Sequence, residues 1–427
     1  MSKRVVIIGA GVIGLSTAYY CARRGFDVTI VERKPAQRDG CSFGNAGMIV
    51  PSHFIPLAAP GMVKLALKWM WNPASPLYIK PRLDSDLIGW GLKFWSAANA
   101  EHVGSSAPLI RDLSLESRKC FEELAGAPVS DPARSGIGDF GLVKNGLLML
   151  CKSEHGLHEE AKTAEQARAL GVPAEVLDAK QTAALDPGAR MDIAGSVHFP
   201  LDCHLTTDRF MSALQAEVER LGVKFIWESE VAGFTTGSAR RIQTIKTSKG
   251  EELEADEFVL CGGSWSPQLA RKLQLKIPLQ AGKGYSLTLP KPRQLPQICS
   301  ICTEARVAVT PMGEKLRVGG TMEIAGLNED INSIRVRGII DSFCRYFPEF
   351  QPKDFEGIQP WRGLRPCSPD GLPYLGRTAK FTNLSLATGH GMMGLSLGPI
   401  TGKLMAEILA GEKPQTDIAM LSPDRYG

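Results

Sequence analysis

The stretch Val5-Val6-Ile7-Ile8-Gly9-Ala10-Gly11-Val12-Ile13-Gly14-Leu15, with Asp27-Val28-Thr29-Ile30-Val31-Glu32 after it, decides the fold. Val5 to Ile8 is a short apolar, β-branched run of the kind that forms a buried parallel strand. Behind the glycines a helical pattern passes through Leu15, Ala18, Tyr19 and Ala22 and stops at Gly25; a second apolar strand then ends in Glu32. Strand, glycine turn, helix, strand and acid together make a dinucleotide-binding unit. Gly9 permits the tight turn, Gly11 lets a pyrophosphate approach the backbone, and Gly14 lets helix and strand pack closely. The helix start, with Val12 and Ile13, offers unpaired N–H groups and a partial positive charge to phosphates. Glu32 can accept both ribose hydroxyls and would repel a 2′-phosphate, which disfavours NADP.

Two further segments match G-x-G-x-x-G, and context separates them. Gly136 to Gly141 follows a polar loop and leads into 141–150, which reads as a hairpin with an Asn145-Gly146 turn, so it is no phosphate loop. Gly389-His390-Gly391-Met392-Met393-Gly394 follows an apolar strand at 384–387 and precedes a helical pattern at about 395–409 closed by Gly411. No strand with a terminal acid follows it. One dinucleotide is therefore expected, with the C-terminal glycine turn pointing a helix start at its other end.

Outward from these motifs, 427 residues allow two or three domains, enough to bury a cofactor between them. The 49 Lys and Arg nearly balance 45 Asp and Glu, and no long basic run appears, so no nucleic-acid partner is expected. Ten scattered cysteines in a chain of this length fit a reducing cytoplasm better than a disulfide framework. Cys299 and Cys302 form a lone C-x-x-C without a second pair, so no metal site is expected. Lys3-Arg4 before an apolar run imitates a secretory signal, but cleavage would remove the glycine motif; a cytoplasmic protein is the expectation. The 44 glycines could reflect linkers or close backbone approaches to a ligand, and their positions favour the second.

A helix at 208–220, a strand at 223–226, and another at 258–261 ending in Gly262-Gly263-Ser264-Trp265-Ser266-Pro267 would complete one sheet around the dinucleotide. With these segments the chain resembles the D-amino-acid oxidase superfamily of FAD enzymes, and among them the bacterial D-amino-acid dehydrogenases. The resemblance covers essentially the whole chain. It rests on Gly9 to Gly14 with Glu32, Cys41-Ser42-Phe43-Gly44-Asn45-Ala46-Gly47, Leu260 to Pro267, Lys283-Gly284-Tyr285-Ser286, Trp361-Arg362-Gly363-Leu364-Arg365-Pro366 with Pro369-Asp370-Gly371, and Gly389 to Gly394.

The resemblance implies an α/β fold, a Rossmann-type FAD-binding domain (segments 1–55, 196–277 and 361–427) interleaved with a β-rich α+β substrate or cap domain (56–195 and 278–360). It implies FAD contacts at Glu32 and Arg33, at Ser42, Asn45, Ala46 and Gly47 of the flavin loop, and at Val231. Gly262, Gly263 and Trp265 would close the adenosine half. Gly363 and the turn His390, Gly391, Met392, Met393 and Gly394 would lie by the flavin.

Oxidising an amino acid needs a positioned carboxylate rather than a nucleophile or metal, and the planar fork of Arg suits that task. Arg365 matches the carboxylate-binding arginine of D-amino-acid and glycine oxidases, although from the residues alone Arg365 or neighbouring Arg362 pairing with Asp370 at a turn is the more ordinary explanation. Tyr285 could add a hydroxyl to the carboxylate or be a strand tyrosine, and His53 could face substrate. His390 could donate a proton or merely pack. Sarcosine-oxidase relatives carry a Lys where this chain has Met393, and a lysine near the flavin where it has Thr321-Met322-Glu323. The expected activity is oxidative deamination of D-amino acids, cyclic ones such as D-proline and hydroxy-D-proline included, with hydride passing to flavin N5 and electrons to a quinone or other carrier. The alternatives are a glycine, sarcosine or D-amino-acid oxidase making hydrogen peroxide, and a non-catalytic dinucleotide sensor. Residues 58–71, with Lys64 and Lys68 on one helical face and Trp69 and Trp71 elsewhere, are expected to form a cap helix on the core. The alternative there is peripheral contact with the inner face of the cytoplasmic membrane.

Overall fold

The computed structural model describes residues 2–69, 75–126, 136–237 and 240–427. The strand Arg4–Ile8 lies at the centre of a six-stranded sheet, paired in parallel with Asp27–Val31 on one side and Glu257–Leu260 on the other. Lys224–Ile226 extends the first side and Leu384–Thr388 the second, again in parallel, and Tyr374–Arg377 closes the far edge antiparallel. Burial on both faces explains why Val5 to Ile8 reads as an unbroken apolar run. On one face the helices Val12–Arg23 and Gly398–Ala410 come into backbone contact. A Cβ on Gly402 would stand 2.4 Å from the Ser16 carbonyl carbon, so no larger residue fits there.

A nine-stranded sheet is the second large sheet, and its strand Trp361–Cys367 lines one cavity together with the carboxyl ends of the first. Toward one edge of this second sheet Gln280–Leu289 runs antiparallel between the edge strand Trp361–Cys367 and Lys315–Ile324. Side-chain alternation gives this sheet two distinct faces. Tyr285, Leu287, Val318, Val307 and Val309 pack with Ile339, Ile340 and Phe343 of the helix Ser333–Tyr346. The other face carries Gly284, Ser286, Gly319 and Arg317, and it meets the 41–47 loop. There Ser286 Oγ donates to the Gly44 carbonyl at 3.1 Å, and Arg317 Nη1 donates to the Asn45 carbonyl at 2.8 Å.

Three expectations need correction. The Asn145-Gly146 hairpin does not form: Val143 bridges to His204, while Leu147–Cys151 pairs with Gly195–Phe199 and Cys299–Cys302. Distant strands outcompeted the local turn. The helix Met62–Trp69 is not packed on the core, because none of its residues is buried; Met70 and Trp71 lie outside the described residues. Within the last glycine motif the chain makes a 3₁₀ turn, Gly391–Met393, and the α-helix begins only at Gly398. The turn therefore does not aim an α-helix start at a ligand. Elsewhere Val307–Met312 and Lys315–Ile324 pair antiparallel.

Candidate cofactor and substrate site

A cavity of about 610 Å³ runs along the carboxyl ends of the parallel strands. At its floor Gly9 has φ +110°, and a Cβ there would stand 2.6 Å from the Cys261 carbonyl oxygen, so the turn accepts only glycine. A Cβ on Gly14 would lie 1.9 Å from the Gly9 oxygen; this glycine serves helix-on-strand packing and does not line the cavity. Glu32 is held at the end of its strand by two backbone donors. The Ala10 N–H reaches Oε2 at 2.7 Å and the Lys34 N–H reaches Oε1 at 2.9 Å. Ser42 Oγ accepts the N–H of Val12, the first helical residue, at 3.0 Å, which brings the 41–47 loop onto the helix start. Gly11, Val12 and Ile13 line the same wall. Arg33 stacks its guanidinium 3.5 Å above the Trp265 ring, and both border the cavity.

Asn45, Val231, Gly262, Gly263, Gly363, His390, Gly391 and Gly394 also line it. Ala46, Gly47, Met392 and Met393 do not. Gly47 is a turn residue at φ +75°, with its N–H on Asn45 Oδ1 at 2.9 Å. Ala46 and Met393 pack against an apolar cluster that includes Met48 and Met149, while Met392 is half exposed to solvent. His390 Nε2 lies 3.0 Å from Thr401 Oγ1, and burial pushes its pKa down to about 3. Near neutral pH it is an imidazole, not an imidazolium acid.

The three expected substrate contacts separate. Arg365 shares the Gly284 face of the nine-stranded sheet: a Cβ on Gly284 would stand 2.2 Å from Arg365 Nη1. Arg365 does not itself line the cavity, but its neighbours Gly363, Leu364 and Pro366 do, and its charge acts on the cavity-lining Cys41, whose thiol burial pushes up and Arg365 pulls down. Asp370 is taken by Arg425 at 2.7 Å and Arg362 by Asp39, so the turn ion pair that could have explained Arg365 is absent. Among the described residues no carboxylate oxygen lies within 4.0 Å of Arg365; one guanidinium N–H donates to the Thr321 carbonyl at 2.9 Å.

Tyr285 does not join it. In the register of the two strands Tyr285 opposes Arg362 while Arg365 opposes Gly282, so alternation sends Tyr285 to the far face. There its hydroxyl donates to Glu323 Oε2 at 2.7 Å. His53, partly buried, has Nδ1 3.0 Å from Ser52 Oγ, which in turn donates to the buried Asp202. Burial and the Arg306 charge lower its pKa to about 4. It does not line the cavity.

Sequence reasoning missed Arg38. Its guanidinium donates to the Ala10 carbonyl at 2.7 Å and to Gln215 Oε1 at 2.7 Å, under the Phe43 and Trp227 rings, fastening the glycine turn to the loop. No motif marks it, since its partners come from three distant segments. The residues present fit a dinucleotide: a fixed carboxylate for ribose, a helix start with open backbone at Gly11, and a long cavity on the strand ends.

The sequence matches the family described as FAD dependent oxidoreductase (DAO) over residues 4–408. It is 34% identical to a D-amino acid dehydrogenase of Bradyrhizobium diazoefficiens, covering 99% of each chain. It is 33% identical to one of Rhizobium rhizogenes, covering 99% of this chain and all of that one. Among solved structures, glycine oxidase from Geobacillus kaustophilus superposes with a TM-score of 0.78 at 22% identity over the full length of both chains. L-proline dehydrogenase from P. horikoshii superposes with a TM-score of 0.72 at 16% identity, covering 100% of this chain and 98% of that one. At these identities the two structures share the fold.

Proposed function

This chain belongs to the DAO family of FAD-dependent oxidoreductases, and from that premise we propose that it oxidises D-amino acids, cyclic ones such as D-proline included, to imines. In this reading 1–55, 196–277 and 361–427 hold FAD, and 56–195 and 278–360 cap it. Glu32 accepts the ribose hydroxyls, the backbone from Gly11 to Ile13 with Ser42 meets the pyrophosphate, and Arg33 and Trp265 flank the adenosine end. Bound FAD supplies an acceptor for the hydride that leaves the substrate Cα. The chain itself must hold the substrate carboxylate and keep water out.

The observation that carries the reading is Arg365. It has no carboxylate of its own among the described residues, spends one N–H on the Thr321 carbonyl, and keeps its other donors for a ligand. Full-length relatives named D-amino acid dehydrogenase favour the D series over other amino acids. The proposed electron acceptor is a quinone or another carrier. A quinone dissolved in lipid requires the protein to reach a membrane surface, and exposed apolar side chains on two helices support that. Leu67 projects from Met62–Trp69; Ile88, Leu92 and Trp95 form an i, i+4, i+7 stripe on Ser85–Ala97. Among the described residues no helix is long and apolar enough to cross a membrane.

The test is anaerobic mixing of the holoprotein with a panel of D- and L-amino acids, followed by air. Bleaching of flavin absorbance by D-amino acids that persists in air is expected. Bleaching by L-amino acids alone overturns the assignment, and rapid recovery in air makes oxygen the acceptor. Arg365→Ala is expected to retain FAD and lose roughly 100-fold in kcat/KM, as removal of a charge-assisted bidentate contact implies. Turnover equal to wild type removes Arg365 from the site.

A further inference from the structure

We propose that Thr321 is a positioning residue for Arg365, and that a strained bulge at Thr321-Met322 sets where the guanidinium stands. The inference rests on Arg365 as the carboxylate clamp. The paired residues Lys283↔Glu323 and Tyr285↔Gly320 leave Thr321 and Met322 together opposite Gly284 alone, which is a β-bulge. Thr321 has φ +62°, a left-handed conformation that a β-branched residue rarely adopts. The bulge turns the Thr321 carbonyl to Arg365 Nη1 at 2.9 Å, and Gly284 leaves the space that the guanidinium occupies.

From the other face the bulge is pinned. The Met322 N–H donates to the Pro76 carbonyl at 2.7 Å, and the Met322 carbonyl accepts from Arg335 Nη2 at 3.2 Å, which also reaches the Ser75 carbonyl at 3.0 Å. Arg335 is fully buried. Next along the strand, the buried Glu323 takes the Tyr285 hydroxyl and stands 3.7 Å from Lys283 and 3.8 Å from Arg335. Strain at a non-glycine residue persists only where surrounding contacts over-determine it, and this charge cluster supplies them. Tyr285 thus bears on the site through Glu323 and the bulge, with no contact to substrate.

Thr321→Gly separates positioning from support, because glycine adopts the left-handed conformation freely and loosens the carbonyl. The expected result is a rise of about ten-fold in the Kd of propionate, read from the flavin spectrum, and in KM for the bleaching amino acid. kcat should stay within about two-fold, with full FAD content and a Tm no lower than wild type. A merely structural Thr321 would move Tm and leave KM and Kd alone; wild-type Kd and KM in Thr321→Gly overturn the proposal. Tyr285→Phe, which removes one hydroxyl, should shift the same Kd upward by about three-fold, and an unchanged Kd there removes Tyr285 from the device. Arg365→Ala is the control. Loss of propionate binding in that variant with none in Thr321→Gly sinks only this inference, while unchanged binding in Arg365→Ala sinks the clamp and this inference together.

Discussion

Glu32 reached its place by two routes that can be told apart. Sequence position put an acid at the end of the second strand, and the folded chain then fixed both oxygens on the N–H groups of Ala10 and Lys34. A carboxylate so held is pre-organised to accept from ribose, and hydrogen bonds to charged groups contribute about 1.5–3 kcal/mol each. Glu32→Ala should therefore raise the FAD Kd by roughly 10- to 100-fold in a titration of deflavinated protein; unchanged affinity would exclude Glu32 from the ribose. Glu32, Gly9 and Gly14 were legible in the sequence because their requirements are local. Tyr285 was left between a carboxylate contact and a strand tyrosine, although its strand carries the answer: Gly282, Gly284 and Ser286 alternate with Lys283, Tyr285 and Leu287, and the small residues mark the face another backbone approaches. Thr321 and Arg38 were illegible, because a bulge and a three-segment contact exist only once distant strands have paired.

At the scale of elements, a stripe of Ile88, Leu92 and Trp95 looks the same in sequence whether it faces a core or a solvent. The structure distinguishes them: Trp95 is 69% exposed and Leu92 62%, while Trp90 of the same helix is buried and donates its indole N–H to the Cys367 carbonyl. Five of the eleven large apolar side chains exposed among the described residues fall between Leu67 and Trp95. Lys64 and Lys68 on the helix Met62–Trp69 are exposed as well, cations of the kind that anionic headgroups attract. Each buried Leu or Trp side chain contributes on the order of 2 kcal/mol to partitioning. The double variant Leu92→Ser, Trp95→Ser should co-sediment with vesicles of mixed neutral and anionic lipid at least ten-fold more weakly than wild type. Equal pelleting would show that this stripe does not meet lipid.

Across the whole molecule, two sheets built from alternating stretches of chain bury groups that are charged when unfolded, and this sets how stability responds to acid. Burial lowers His204 to about 4 and His390 to about 3, and burial with the Arg306 charge lowers His53 to about 4, against an ordinary value of 6.5. Between those limits the unfolded chain binds protons that the folded chain refuses, so their contribution is complete above about pH 6.5 and is lost as pH falls. Asp202, raised to about 7 by burial, and Glu160, also raised by burial, act in the opposite sense: their contribution is present at low pH and lost as pH rises through the folded values. Three histidines outweigh two carboxylates between about pH 4 and 6.5, which leaves a net loss on the order of 1 kcal/mol per pH unit of acidification. The urea midpoint of the holoprotein in excess FAD should therefore fall steadily from pH 7 to pH 5. His204 is the histidine to vary, since it does not line the cavity and its backbone is paired between Met48 and Val143. His204→Asn removes one titrating group, so its midpoint should fall less steeply over the same range. A wild-type midpoint that holds or rises toward pH 5 would mean that the carboxylates, led by Asp202, dominate the balance.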